Sequence, residues 1–108
     1  MKIEYKNKKI EKLCTQRNLA VRRIGRSSAV KLANRVSDLL AADSLKDMIV
    51  GGGHELTGDR KGEYALKLGG GMRLCMTAQS PVPKKSDGST DWDSVRAVTL
   101  VFIGNYHD

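Results

Sequence analysis

No run of 18 apolar residues occurs in this sequence, so it encodes no transmembrane helix. The opening, Met1-Lys2-Ile3-Glu4-Tyr5-Lys6, lacks the apolar core of a secretory signal. Cysteine is scarce. Cys14 and Cys75 lie far apart and form no CxxC pair. Without a secretion signal they are expected to be reduced core thiols of a cytoplasmic protein. Two cysteines and two histidines at these spacings do not make a zinc site. Proline occurs twice, and both prolines fall within residues 79–94. No internal repeat is present. Membrane spans, disulfide scaffolds, zinc modules and repeat arrays are thereby set aside.

What remains is a chain of 108 residues, the size of one domain, 1–108. With 40% apolar and 29% charged residues it has a globular composition and enough chain for one core. The charge is unevenly spread. Residues 1–36 hold 11 basic and 2 acidic residues, and residues 37–108 hold 8 basic and 10 acidic. The whole excess of +7 therefore originates in the first third. A one-sided cationic surface selects an anionic partner: nucleic acid, lipid headgroups or an acidic protein.

Residues 2–5 read as a short edge strand with Ile3 and Tyr5 on one face. From Lys8 to about Arg23, Ile10, Leu13, Cys14 and Val21 fall near helical spacing among lysines and arginines. Gly25 breaks this segment, and Ser27 or Ser28 is expected to cap the next. Over 30–42, Val30, Ala33, Val36, Leu39 and Leu40 follow a 3.6-residue period. Asp43 or Ser44 starts a short turn through Met48. Past Gly51-Gly52-Gly53 the period changes to two. Tyr64, Leu66 and Leu68 alternate with Ala65 and Lys67, and Met72, Leu74 and Met76 alternate with Arg73 and Cys75. Gly69-Gly70-Gly71 between them signals a hairpin. Residues 79–94 are polar, a long and exposed excursion expected to be mobile. Residues 97–103 are β-branched and apolar, a central strand. The expected class is α+β: an N-terminal strand and a helical hairpin packed on a small antiparallel sheet, with the other sheet face open.

The run His54-Glu55-Leu56-Thr57-Gly58-Asp59-Arg60-Lys61-Gly62-Glu63-Tyr64 resembles a signature of the HigB group of RelE/ParE-type bacterial toxins. The passage Ala42 to Met48, the continuation Gly69 to Met76 and the ending Asn105-Tyr106-His107 resemble the same group. The resemblance implies a RelE-like fold and the toxin of a type II toxin–antitoxin pair. The implied partners are a cognate helix-turn-helix, DNA-binding antitoxin, and the ribosome with its mRNA, in the bacterial cytoplasm and without a membrane. The implied activity is an mRNA endonuclease: a ribose 2′-hydroxyl attacks the adjacent phosphate in line, with no metal and no cofactor.

Such chemistry needs a base for the 2′-hydroxyl, an acid for the leaving 5′-oxygen, and cations for the developing charge. His54 and His107 are the only histidines and titrate nearest neutrality. The alternatives are a loop histidine beside the triglycine run and a frayed terminal residue. Arg73, on the face opposite Met72, Leu74 and Met76, could clamp a phosphate in two-pronged fashion or be a plain strand arginine. Lys67 lies directly opposite Arg73 if the hairpin loop is three residues, and faces the other way if it is two. Tyr106 either stacks on a base or anchors the sheet edge. Arg60 and Lys61 are phosphate contacts or a solvated turn, Asp59 has a structural reading, paired with Arg60 or bonding turn amides, and Tyr64 reads as core.

Two positions depart from the group. Thr57 stands where lysine is common and brings no cation. Asn105 stands where aspartate is common and cannot take a proton. These departures keep two alternatives open: a gyrase-directed toxin of the same fold, as in the ParE branch, or a catalytically weakened antitoxin-binding regulator. The basic first third, including Lys8, Lys9, Lys12, Arg22 and Arg23, reads as a grip on RNA phosphates. It has few aromatics for stacking on single strands. An acidic partner strand or helix docked on the same face is the competing explanation.

Overall fold

A computed structural model describes residues 1–105. Strand β1 (Lys2–Tyr5) is followed by helices α1 (Lys8–Thr15), α2 (Arg17–Ile24) and α3 (Arg26–Ala41). Then come β2 (His54–Glu55), β3 (Tyr64–Gly69), β4 (Met72–Ala78) and β5 (Ala97–Gly104). The strands form one five-stranded sheet in the order β1-β5-β4-β3-β2. The α+β class and the helical layer on one sheet face agree with the expectation. The sheet itself is mixed, because β1 pairs in parallel with β5 while the other pairs are antiparallel. A parallel pair needs a long crossover, and the helices and three intervening strands supply it. Among the described residues, no helix is long and apolar enough to cross a membrane.

The basic segment expected as one helix is two. The Asn7 side chain caps α1 by accepting from the Ile10 amide at 3.0 Å. At the other end the Thr15 hydroxyl donates back to the Glu11 carbonyl at 2.8 Å, and Gln16 adopts extended backbone. That competing hydrogen bond accompanies the break between α1 and α2. α3 starts earlier than expected. Its cap is Gly25, at φ +84°, and Ser28 is buried one turn inside, so neither serine is the N-cap. The α3 core stripe is Ala29, Leu32, Val36 and Leu39, leaving Val30 and Leu40 exposed. The stripe still keeps the 3.6 period, but rotated from the one expected. The short turn after α3 forms as a 3-10 turn at Leu45–Asp47.

The sheet's helix-covered face carries Leu66, Leu68, Leu74, Met76, Val98 and Leu100, which join Ile10, Leu13, Leu32 and Leu39 in the main core. Each such side chain contributes about 1.5–3 kcal/mol by leaving water. Residues 79–94 do not form a free excursion. Lys84 bridges to Thr90, Asp87 closes a turn onto the Ser89 amide at 2.9 Å, and Trp92 is buried. Trp92 packs against Tyr64 with ring centroids 5.1 Å apart. The β3–β4 turn is tight because Gly69, Gly70 and Gly71 all hold positive φ. An irregularity between Lys67 and Gly69 sets the register, so that Lys67 lies directly opposite Arg73.

Candidate nucleic-acid interface

The uncovered sheet face is built by alternation. Ala65 and Lys67 point away from the leucines of β3, and Arg73 and Cys75 point away from those of β4. Cross-strand pairing extends the same face to both sides. His54 lies opposite Ala65, Lys67 opposite Arg73, Arg73 opposite Gly104, and Cys75 opposite Phe102. The face therefore reads His54, Lys67, Arg73 and Gly104 from the β2 edge inward.

Lys67 and His54 each lie against Gly52 of the triglycine loop. The Lys67 amide donates to the Gly51 carbonyl at 2.8 Å, which ties the loop to the β3 edge. A Cβ on Gly52 would sit 3.1 Å from Lys67 Cδ and 3.5 Å from its Nζ, so the lysine stem lies against the glycine. His54 Nδ1 is 3.3 Å from the Gly52 carbonyl oxygen. With its proton on Nδ1 the ring donates there and keeps Nε2 as an acceptor. On the inner side of the loop, a Cβ on Gly53 would collide with the Tyr64 ring, so glycine is required by space.

Arg73 leans the other way. Its Nη1 donates to the Met72 carbonyl at 3.0 Å, and its Nε is buried with no partner among the described residues. Two cations directly opposite on a ladder repel. Here they part, one toward Gly52 and one toward Met72.

Beside them lies a small second core of Leu56, Ala65 and Cys75, packed by Val101 and Phe102. Arg60 roofs it. Its guanidinium carbon is 3.8 Å from the centre of the Phe102 ring, and its Nη1 is 2.9 Å from Glu63 Oε1. Arg60 is thus engaged in closing this cluster. Lys61 next to it is exposed at the end of the Gly58–Arg60 turn. Asp59 is exposed in that turn, and Thr57, also exposed, accepts the Arg60 amide at 3.4 Å through its carbonyl. The Asn105 side chain rests on the hairpin turn, where a Cβ on Gly71 would be 2.6 Å from its Nδ2. Tyr106 and His107 lie outside the described residues.

The two thiols are protected. Burial pushes the Cys14 thiol up to about 12 and the Cys75 thiol up to about 11. Neither is a nucleophile near neutrality. Among the described residues no cluster of three His, Cys, Asp or Glu side chains is placed to hold a metal ion.

The first-third cations are elsewhere. Lys8, Lys9 and Lys12 on α1, and Arg22 and Arg23 on α2, are exposed on the helical layer rather than the open face. The sequence-derived candidates thus divide into two surfaces. Phe102 was missed, because strand alternation from Val98 and Leu100 assigns it to the core. A bulge at the β4–β5 ladder, between Cys75 and Met76, reverses the phase and turns Phe102 to the open face.

No protein-family model and no curated protein matches the sequence. Solved structures do resemble it. The YoeB–YefM complex from Staphylococcus aureus matches with a TM-score of 0.58 at 10% identity, over 98% of this chain and 97% of that one. A YoeB/ParE toxin from Agrobacterium tumefaciens matches with a TM-score of 0.57 at 10% identity, over 98% and 99%. A heterotetrameric YoeB–YefM toxin–antitoxin complex from Staphylococcus aureus matches with a TM-score of 0.58 at 10% identity. Helical layer, mixed sheet and open face together make this chain a RelE-like α+β fold of the kind seen in those YoeB and ParE toxins.

Proposed function

We propose that the chain is the toxin of a toxin–antitoxin pair and acts as an endoribonuclease on mRNA in the ribosome, with motifs that resemble those of the HigB group. The observation that carries this reading is the Lys67–Arg73 pair, two cations directly opposite on an open sheet face beside His54. Such a pair is unfavourable alone and favourable around an anion. A phosphodiester is the anion that also requires an adjacent base.

The proposed roles divide the chemistry among these residues. His54, with Nδ1–H on the Gly52 carbonyl, presents Nε2 to take the 2′-hydroxyl proton. The 2′-oxygen attacks phosphorus, the bond to the 5′-oxygen breaks, and a 2′,3′-cyclic phosphate and a 5′-hydroxyl result. Arg73 and Lys67 stabilise the charge on the non-bridging oxygens. His107 gives the leaving oxygen its proton, and Tyr106 orients the substrate. Both follow Asn105, which rests on the turn beside Arg73, by one and two residues. Lys61 adds a phosphate contact at the rim. Arg60, held over Phe102, adds its positive charge from there. Two of the similar structures are toxin–antitoxin complexes, which supports an antitoxin as partner here. The first-third cations supply the potential that draws the chain to RNA.

Primer extension on a defined mRNA in a purified translation system tests the reading, with and without ribosomes. Ribosome-dependent cuts are expected, lost in His107→Ala and in His54→Ala. A folded protein that arrests growth without cutting overturns it and points to a gyrase-directed toxin. Harmless expression of the chain alone points to a regulator.

A further inference from the structure

Residues 49–53 link the turn after α3 to β2 and so carry His54 to the open face. The link has little to hold itself by. Ile49 is 93% and Val50 58% exposed, and neither makes a hydrogen bond among the described residues. Gly51 and Gly52 follow at φ +108° and +54°, with no side chains to pack. A glycine segment without anchors has a wide choice of conformations, and His54 would move with it.

Three side chains from other elements supply the anchors. Lys67 lies along Gly52, and the Tyr64 ring fills the space at Gly53. The third is Arg35 of α3. A Cβ on Gly51 would sit 2.8 Å from Arg35 Nε and 3.0 Å from its Cδ, so the arginine stem is seated against Gly51. Gly51 and Gly52 in turn face the site. The Gly51 carbonyl accepts the Lys67 amide at 2.8 Å, and the Gly52 carbonyl lies 3.3 Å from His54 Nδ1. The prop stands on firm ground, because Leu32, Val36 and Leu39 bury the inner stripe of α3 around it.

Hydrogen bonding does not explain an arginine here. Its Nε is buried without a partner, and its side chain makes no ion pair among the described residues. A buried donor without a partner is unfavourable in itself. What the stem provides is contact with Gly51. We infer that Arg35 is a positioning residue: its stem fixes Gly51, and the loop then holds the Gly52 carbonyl where it selects the Nδ1–H form of His54. The hydrogen bond at one ring nitrogen decides which nitrogen carries the proton, so a displaced carbonyl frees both forms. This role rests on the endoribonuclease reading of the open face, and Arg35 acts only through the loop.

The test compares Arg35→Met with Arg35→Ala in the full chain. Both lose the charge, so any effect of charge on RNA binding is common to them. Only methionine keeps a long stem. Primer extension on translating ribosomes should give Arg35→Ala a kcat at least about tenfold below that of Arg35→Met, with similar KM. Long-range nitrogen–proton NMR spectra of the histidine rings, taken at alkaline pH and assigned by loss of signals in His54→Gln, give the second readout. A single Nδ1–H form of His54 is expected in the wild type and in Arg35→Met, and a mixture of both forms in Arg35→Ala. Urea unfolding checks folding, and Arg35→Val, which stops at Cγ, takes the place of Arg35→Ala if that variant misfolds. The inference is overturned if the two variants cut equally, or if the His54 spectrum of Arg35→Ala matches that of the wild type. A wild type that cuts no RNA defeats the nuclease reading alone, and the ring spectra then decide whether Arg35 positions His54.

Discussion

Lys67 and Arg73 set a conflict between stability and function. Side chains directly opposite on an antiparallel pair interact at about 0.2–1 kcal/mol, unfavourably for like charges. Lys67 is exposed and leans on Gly52, so its removal opens no cavity. Lys67→Ala is therefore expected to leave stability unchanged or raise it by a few tenths of a kcal/mol, while RNA cleavage falls. Urea unfolding beside primer extension checks both. A variant that unfolds easily would make Lys67 a structural residue. Arg73 is a different case, because its Nε is already out of solvent and its guanidinium is fixed by the Met72 carbonyl. Arg73→Lys keeps the charge but loses the planar fork. We expect cleavage to drop by about 10²–10³-fold with little change in substrate binding, as for loss of one transition-state donor. A separate reading of kcat and KM decides it. Equal activity of the lysine variant would show that only charge matters there.

Among the elements, the stretch 79–94 behaves least as its composition suggests. It is polar, but Trp92 inserts beside Tyr64 and Val95 is fully buried, and Leu45 donates its amide to the Val95 carbonyl at 3.0 Å. The excursion thus fastens the turn after α3 to the entry of β5. Trp92→Ala is expected to cost about 3–5 kcal/mol, as for other buried aromatics. Thermal unfolding measures it, and loss of the near-ultraviolet tyrosine signal should accompany it. A loss below about 1 kcal/mol would mean that the segment is a loop after all. The same region steadies the candidate site, since Tyr64 also fills the space against Gly53 in the loop that carries His54. Damage at Trp92 should therefore reach His54 through Tyr64 and reduce cleavage too.

At the scale of the molecule, charge and burial set the response to pH. Burial raises both thiols, Cys14 to about 12 and Cys75 to about 11, and it raises Tyr5 and Tyr64 as well. A group with a raised folded pKa binds its proton more tightly folded than unfolded. Its contribution is complete below the unfolded value near 9 and is lost as pH rises through the folded one. Stability is expected to be flat through neutrality on this account and to fall between about pH 9 and 12. Urea midpoints from pH 7 to 11 check this. A Cys75→Ser variant should lose part of the slope, and an unchanged slope would assign it to Cys14 and the tyrosines. Below pH 9 both thiols should resist alkylation until the protein unfolds.

Much of this architecture is legible in the residue order because it depends on local periodicity. The switch from period 3.6 to period 2 after Gly53, the glycine turn at 69–71 and the apolar β5 segment predict helices followed by a sheet. The alternation also places Arg73 opposite Met72, Leu74 and Met76, as observed. What depends on distant pairing was not legible. Local spacing does not state that β1 runs parallel to β5, since the partner lies more than 90 residues away. It left two registers open for Lys67 and Arg73, because the irregularity after Lys67 is a property of the ladder and not of the turn residues alone. It did not single out Phe102 for the same reason: one bulge against β4 exchanges Phe102 and Ile103 between the faces. That exchange completes the small core under Arg60 on one side and packs Ile103 against the main core on the other. The residue types thus determined the elements and the chemistry on offer. Only the pairing of strands, which residues far apart in the chain decide together, determined which of those side chains share a surface.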